Sequence, residues 1–277
     1  METVKITASE VNALRKQTGA GMMDCKNALV EANGDPQKAV EILRKKGQKV
    51  AAKRSDRDAS EGMALAVVAP DNKRAVVIAL NCETDFVAKN ADFTATTKSI
   101  LDLAVEKNPA TLEELLALDL NGMSVADVVT ETTGKTGEKV ELSAYSVVTG
   151  ETVVAYNHPG NMIASIVALT KPGHEESAKD VAMQVAAMAP LALNRDGVDA
   201  EIVAKEIEIG KAQAIKEGKP EEMADKIAVG RLNKFYKENT LLEQAYVKDN
   251  KMSIEKYLQS QDPDLTVVGY KRVSLSN

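Results

Sequence analysis

The sequence predicts an α+β fold, with a helical start, two strand-rich stretches that carry their own helices, and a helical hairpin late in the chain. Three observations carry this. Apolar, β-branched runs face each other across short polar turns: "GMALAVVAP" and "RAVVIALNC" around "DNK", then "ETVVAYNH" and "NMIASIVALT" around His158-Pro159-Gly160. The order strand, strand, helix and late strand then occurs a second time. Apolar residues elsewhere recur at helical spacing above charged faces.

Residues 1–55 read as three short helices. "ITASEVNALRKQT" offers Ser9 as a cap, with Val11 and Leu14 on one face. "TGAG" (Thr18 to Gly21) is a break, and "GMMDCKNALVEA" resumes helical spacing until Asn33-Gly34. Asp35 and Pro36 suit the cap and first position of a third helix, since the missing N–H of proline would be unpaired there anyway. Three helices this short make a small core, so they are expected to rest on something else. From Arg44 to Asp58 come seven basic and two acidic residues, a net of +5, read as a helix end running into a linker.

After the first strand pair a long helix is expected from about Phe86 to Glu106, then shorter helices at "TLEELLAL" and "SVADVVTETTG" and a strand at "KVELSAYSVV". The second strand pair is followed by a helix at "GHEESAKDVAMQVAAMAP", and "LTVVGYKRVSL" closes its sheet. Between them, helical patterns flank "EGKP", where Gly218 ends one helix and Pro220 starts the next. A link this short makes the pair antiparallel. Ile202, Ile209, Met223, Ile227 and Leu232 fit its seam. At 1.5 Å per residue each helix spans about 25–30 Å, so the pair is expected to project as an arm, for a partner or for a dimer contact.

Composition narrows the function. The chain has 277 residues, 44% hydrophobic and 27% charged, with aromatics at 3% and no Trp, so its cores are aliphatic. A net charge of −6 argues against broad electrostatic binding to nucleic acid. No apolar run nears the roughly 20 residues that cross a bilayer, and "METVKITASE" lacks the basic-then-apolar order of a signal peptide, so the cytoplasm is expected. Cys25 and Cys82 match no metal or redox spacing and are expected to be buried thiols.

The chain shows no Walker loop, no Rossmann glycine fingerprint after a strand and no G-x-S-x-G elbow. His158 and His174 are the only histidines, without zinc-ligand spacing. A binding protein is therefore favoured over an enzyme. One stretch stands out for that role: "NCETDFVAKN", Asn81 to Asn90, sets Phe86 beside Asp85 at the mouth of a helix. The residues alone allow Phe86 to be a core side chain or one meant for another protein. Met22 and Met23 lie about 100° apart on a helix, so they cannot share one core. Met22 follows the stripe of Cys25, Leu29 and Ala32 and is expected inward; Met23, with Lys26, Asn27 and Val30, is expected to face a partner.

"LRKQTGAGMMDCKNALVEANGD" (Leu14 to Asp35) and "NCETDFVAKN", followed by a strand-rich core, the "EGKPEEMADKIAVGRLNKF" hairpin and a final strand, resemble the bacterial elongation factor Ts family over essentially the whole chain. The resemblance implies a guanine-nucleotide exchange factor. It would bind the translational GTPase elongation factor Tu and promote GDP release by disturbing its Mg²⁺/phosphate site, so that GTP rebinds during translation elongation. It implies a UBA-like three-helix module (residues 1–55) and a core of two α+β subdomains with three-stranded antiparallel sheets (56–150, then 151–197 with 240–277). It also implies a protruding antiparallel coiled-coil arm (198–239). Some members carry a further C-terminal helical module; with Asn277 soon after the last strand, none is expected here.

By motif, the family's contact residues fall on Asp85 and Phe86 with Thr84 and Val87 beside them, on Met22, Met23 and Lys26, and on His158 in "AYNHPGN". Tyr246 and Val247 match a further contact segment loosely. No metal, nucleotide or other cofactor is expected on this chain, nor covalent catalysis, nucleic acid or membrane. A homodimer or a 2:2 complex with the GTPase stays open. The rival reading is an RNA- or ribosome-binding protein using the basic residues 44–57, although that stretch has no aromatic to stack on bases.

Overall fold

The computed structural model describes residues 5–275; residues 1–4, the start of the segment read for a signal peptide, and 276–277 lie outside it. Helix α1 (Ala8–Thr18) is capped by Thr7, not Ser9. Thr7 Oγ1 accepts from the Glu10 N–H at 3.3 Å while the Glu10 carboxylate accepts from the Thr7 N–H at 2.7 Å, a reciprocal capping box that starts the helix earlier. Helix α2 (Met22–Glu31) ends where Asn33 and Gly34 turn left-handed. Asp35 caps α3 (Pro36–Lys53) by accepting from the Gln37 and Lys38 N–H groups, as expected. Val11, Leu14, Cys25, Leu29 and Ala39 form the small shared core.

The stretch read as a linker is helical as far as Lys53. The reason is tertiary: Gly47 is buried against Gly134 of helix α7 (Val125–Thr136), where a Cβ on Gly134 would lie 2.7 Å from the Gly47 Cα. Two glycines let the helix backbones cross almost in contact. The three helices thus rest on a neighbour, as their small core requires.

Strands β1 (Glu61–Val68) and β2 (Arg74–Cys82) form the expected hairpin, and β3 (Glu141–Thr149) adds to the far side of β2. The long helix expected from Phe86 is two: α4 (Asp85–Ala88) and α5 (Ala91–Lys107). Asn90 breaks it, because its side chain accepts from the Asp92 N–H at 2.8 Å and caps a new helix. Helix α6 (Leu112–Ala117) and α7 complete this layer.

The second sheet repeats the order. Strands β4 (Thr152–Asn157), β5 (Ile163–Leu169) and β8 (Val267–Ser274) pair antiparallel around β5. Helix α8 (Glu175–Met188), the short hairpin of β6 (Ala245–Tyr246) and β7 (Asp249–Ser253), and α11 (Ile254–Gln261) cover it. Asp180 on α8 fastens this cover, accepting from Tyr246 Oη at 2.5 Å, Tyr257 Oη at 2.8 Å and Lys248 Nζ at 2.6 Å. Burial alone would raise its carboxyl, but these three donors outweigh burial and hold it below the usual range.

The two sheets stack face to face, and strand alternation explains how. In β2, Ala75, Val77 and Ala79 point at the other sheet, meeting Ala164, Ile166 and Ala168 of β5. The alternate residues Val76, Ile78 and Leu80 point into the helices, with Phe93 and Ile100. Alanine-rich inner faces let the sheets approach closely; large outer side chains fill the space beneath the helices. The result is four layers, helices, sheet, sheet and helices, an α+β architecture as predicted.

Helices α9 (Ala200–Lys216) and α10 (Glu221–Asn239) run antiparallel and pack chiefly on each other. Their seam differs from the expected one. Gly210, Ala214, Ala224 and Ala228 are buried there, while Ile202, Ile227 and Leu232 are half-buried and Ile209 and Met223 are exposed. A Cβ on Gly210 would sit 3.1 Å from the Ala228 Cα, so the axes come too close for large side chains to lie between them.

Candidate partner-binding site

Strand β2 ends at Cys82 and α4 begins at Asp85, so Glu83 and Thr84 make the whole turn between them. Thr84 caps α4, its Oγ1 accepting from the Val87 N–H. The same hydroxyl donates to Glu138 Oε1 at 2.7 Å, and the Thr84 N–H donates to Glu138 Oε2 at 3.0 Å. The Glu83 carboxylate accepts from Arg54 Nη1 at 2.7 and 2.9 Å and from the Lys139 N–H at 2.6 Å. The buried Cys82 thiol donates to the Thr84 carbonyl at 3.2 Å. Burial and the Glu138 charge push that thiol up to about 12, so it stays protonated and inert. Both cysteines are free and buried, as expected.

On this support sits a single helical turn. Ala88 is buried and Val87 half-buried against the first sheet's core. Phe86 points away and is 83% exposed. Asp85 is half-exposed and pairs with Lys89 Nζ at 2.6 Å, and that hydrogen bond holds its carboxyl below the usual range. Phe86 is therefore no core residue; the buried phenylalanine is Phe93.

The α2 surface is more open than expected. Met23 and Lys26 are exposed, and so is Met22, which the helical stripe placed inward. Met22 is the first residue of α2 and overhangs a core that begins only at Cys25. Val30 is exposed on the face of Met23 and Lys26, at spacings of three and four residues that align side chains along a helix.

His158 is exposed in the β4–β5 turn. Its Nδ1 lies 3.1 Å from Tyr156 Oη, which orients the ring. The turn is anchored to the other sheet: the Asn157 side chain bonds both the N–H and the carbonyl of Ala66, and the Asn161 carbonyl accepts from the Ala64 N–H. Tyr246 is buried under Asp180, whereas Val247 beside it is exposed.

The basic residues 44–57 are partly engaged within the protein. Arg54 pairs with Glu83, Lys46 with Asp24, and Arg44 Nη2 approaches Met123 Sδ at 2.7 Å. Among the described residues no group of three or more His, Cys, Asp or Glu could hold a metal ion, and no helix is long and apolar enough to cross a membrane.

Sequence reasoning missed Glu83 and Glu138 as supports. Glu138 lies 54 residues from Thr84, and no local spacing announces such a pairing. A pH dependence follows. The Lys139 N–H, then Arg54, hold the Glu83 carboxyl below its ordinary 4.5, so their stabilisation is complete above that value and is lost as the pH falls below it. Melting curves of the wild type and Glu83→Gln should differ most near neutral pH and converge in acid; a gap independent of pH would contradict this.

The Elongation factor TS family model matches residues 83–277. The elongation factor Ts of Christiangramia forsetii is 55% identical over 98% of this chain and 99% of its own length. Those of Flavobacterium psychrophilum and Porphyromonas gingivalis are 53% and 51% identical, each over 98% of both chains. The matched segment opens at Glu83, on the turn that presents Phe86, and with relatives this similar along nearly all of its length the chain belongs to the elongation factor Ts family.

Proposed function

We propose that this chain is a guanine-nucleotide exchange factor of translation elongation that presses Phe86 between elements of elongation factor Tu, while Asp85 disturbs the polar network around that GTPase's Mg²⁺. Its family supports exchange on elongation factor Tu. The single observation that carries the wedge is an almost fully exposed phenylalanine on a one-turn helix whose base is tied down by two carboxylates.

A GTPase holds its nucleotide through Mg²⁺ and backbone N–H groups around the phosphates. An exchange factor needs no covalent chemistry. It must bind the nucleotide-free state better, and the coupling is reciprocal: it weakens GDP by the factor by which GDP weakens it. Burying a phenylalanine that free solvent now surrounds supplies about 1.5–3 kcal/mol of such preference, if the pocket opens only in the empty GTPase. The α2 face of Met22, Met23 and Lys26 and the His158 turn serve as grips on either side. Methionine suits a grip because its side chain adapts to irregular surfaces. In this reading residues 1–55 are a UBA-like docking module. The α9–α10 pair is a coiled-coil arm whose exposed Ile209, Ile215, Met223 and Val229 suit a homodimer or a 2:2 complex.

The test is release of labelled GDP from elongation factor Tu with and without this chain. Acceleration that saturates with added chain is expected; no acceleration would sink the proposal. Met23→Asp separates grip from wedge. It should raise the half-saturating concentration about tenfold and leave the maximal rate near that of the wild type, the signature of lost uniform binding.

A further inference from the structure

We propose that Arg54 and Glu83 are positioning residues for exchange, coupling the N-terminal helices to the Phe86 turn; this rests on the wedge reading above. The turn is braced by two routes that both lead back to α3. Arg54, the residue that closes α3, donates to both oxygens of Glu83, three residues before Phe86. The side chains of this pair are 34% and 17% exposed, so water screens it less than the surface ion pairs of the molecule. The second route runs through α7, which α3 crosses at Gly47 and Gly134. The residues just past the end of α7 then grip the turn: Glu138 takes the N–H and hydroxyl of Thr84, and the Lys139 N–H donates to Glu83.

The α2 docking face and the Phe86 turn therefore belong to one braced frame. Glu83 and Arg54 need not touch the GTPase. Their role is to keep the turn from yielding when Phe86 is pushed into a resisting site. A wedge on a loose turn would still bind, because the grips are intact, but would fold back instead of distorting its target.

The experiment is the maximal rate and half-saturating concentration for labelled GDP release from elongation factor Tu, using Arg54→Met and Glu83→Gln in the full chain. Each should lower the maximal rate about three- to tenfold, within the range by which residues remote from a ligand modulate coupling, and move half-saturation less than about twofold. Arg54→Lys, which keeps the charge, should recover part of the rate. In a Phe86→Ala background neither substitution should slow exchange further, since both act through that ring. Melting curves confirm that each variant is folded at the assay temperature, and the isosteric Glu83→Gln decides the matter if Arg54→Met is not. Unchanged maximal rates overturn the inference, and so does the same fold-loss with Phe86 present or absent. A Phe86→Ala chain that exchanges like the wild type is a different result: it removes the wedge itself, and this inference with it.

Discussion

Phe86→Ala should lower the maximal rate of GDP release from elongation factor Tu by about 10- to 100-fold, the kinetic equivalent of losing one phenylalanine burial made only in the distorted complex. The same change should leave the fold nearly untouched. The ring makes no core contact, and substitutions at such positions stay within about 0.5 kcal/mol. The two readouts separate the roles of the side chain. A chain that melts several degrees lower, and whose folded fraction exchanges normally, would place Phe86 in the core after all. Stopped-flow release and a melting curve on one preparation suffice.

Phe93→Ala is the mirror experiment, seven positions along the same sequence. Phe93 is 2% exposed beneath the first sheet, in the cluster with Ile78, Leu80 and Ile100. Removing a buried ring loses its transfer free energy and leaves a cavity, at a cost of about 3–5 kcal/mol. For a chain of this size that lowers the melting temperature by roughly 6–20 °C. Exchange per folded molecule should fall far less than in Phe86→Ala: Val87 and Ala88 share the core cluster with Phe93, but the hydrogen bonds of Glu83 and Glu138 hold the turn from its other side. A Phe93→Ala chain that is stable but inactive would mean that the turn depends on the core in a way its hydrogen bonds do not show.

Much of the fold was legible because local patterns agreed with the final packing. The "DNK" hairpin and the Asp35-Pro36 helix start depend on neighbours in sequence, and both formed; the late strands β3 and β8 are locally apolar and β-branched, and each joined its sheet across a long stretch of chain. The misreadings have tertiary causes. Nothing local shows that Gly47 would be pressed on Gly134, and glycine inside a basic run reads as a helix end. The α9–α10 seam chose Gly210 and Ala228 over the isoleucines, because backbone approach outweighed side-chain size. Met22 obeyed the helical period but lay at the end of its helix, past the core that the period pointed to.

The candidate site was legible only in part. Phe86 stood out as a rare aromatic at a strand-to-helix junction, and residues alone left its direction open. Its exposure decides against the core. The groups that make the turn rigid were invisible in sequence, since a carboxylate 54 residues away carries no local signature.

A photo-reactive phenylalanine analogue at position 86 reports whether this side chain enters the nucleotide site of the GTPase. Irradiated with nucleotide-free elongation factor Tu, it should cross-link to residues lining the Mg²⁺ and phosphate site. Excess GDP with Mg²⁺ should suppress the yield, by the same reciprocity through which the factor expels GDP. Cross-links remote from that site, or a yield indifferent to GDP, would mean that Phe86 does not act there.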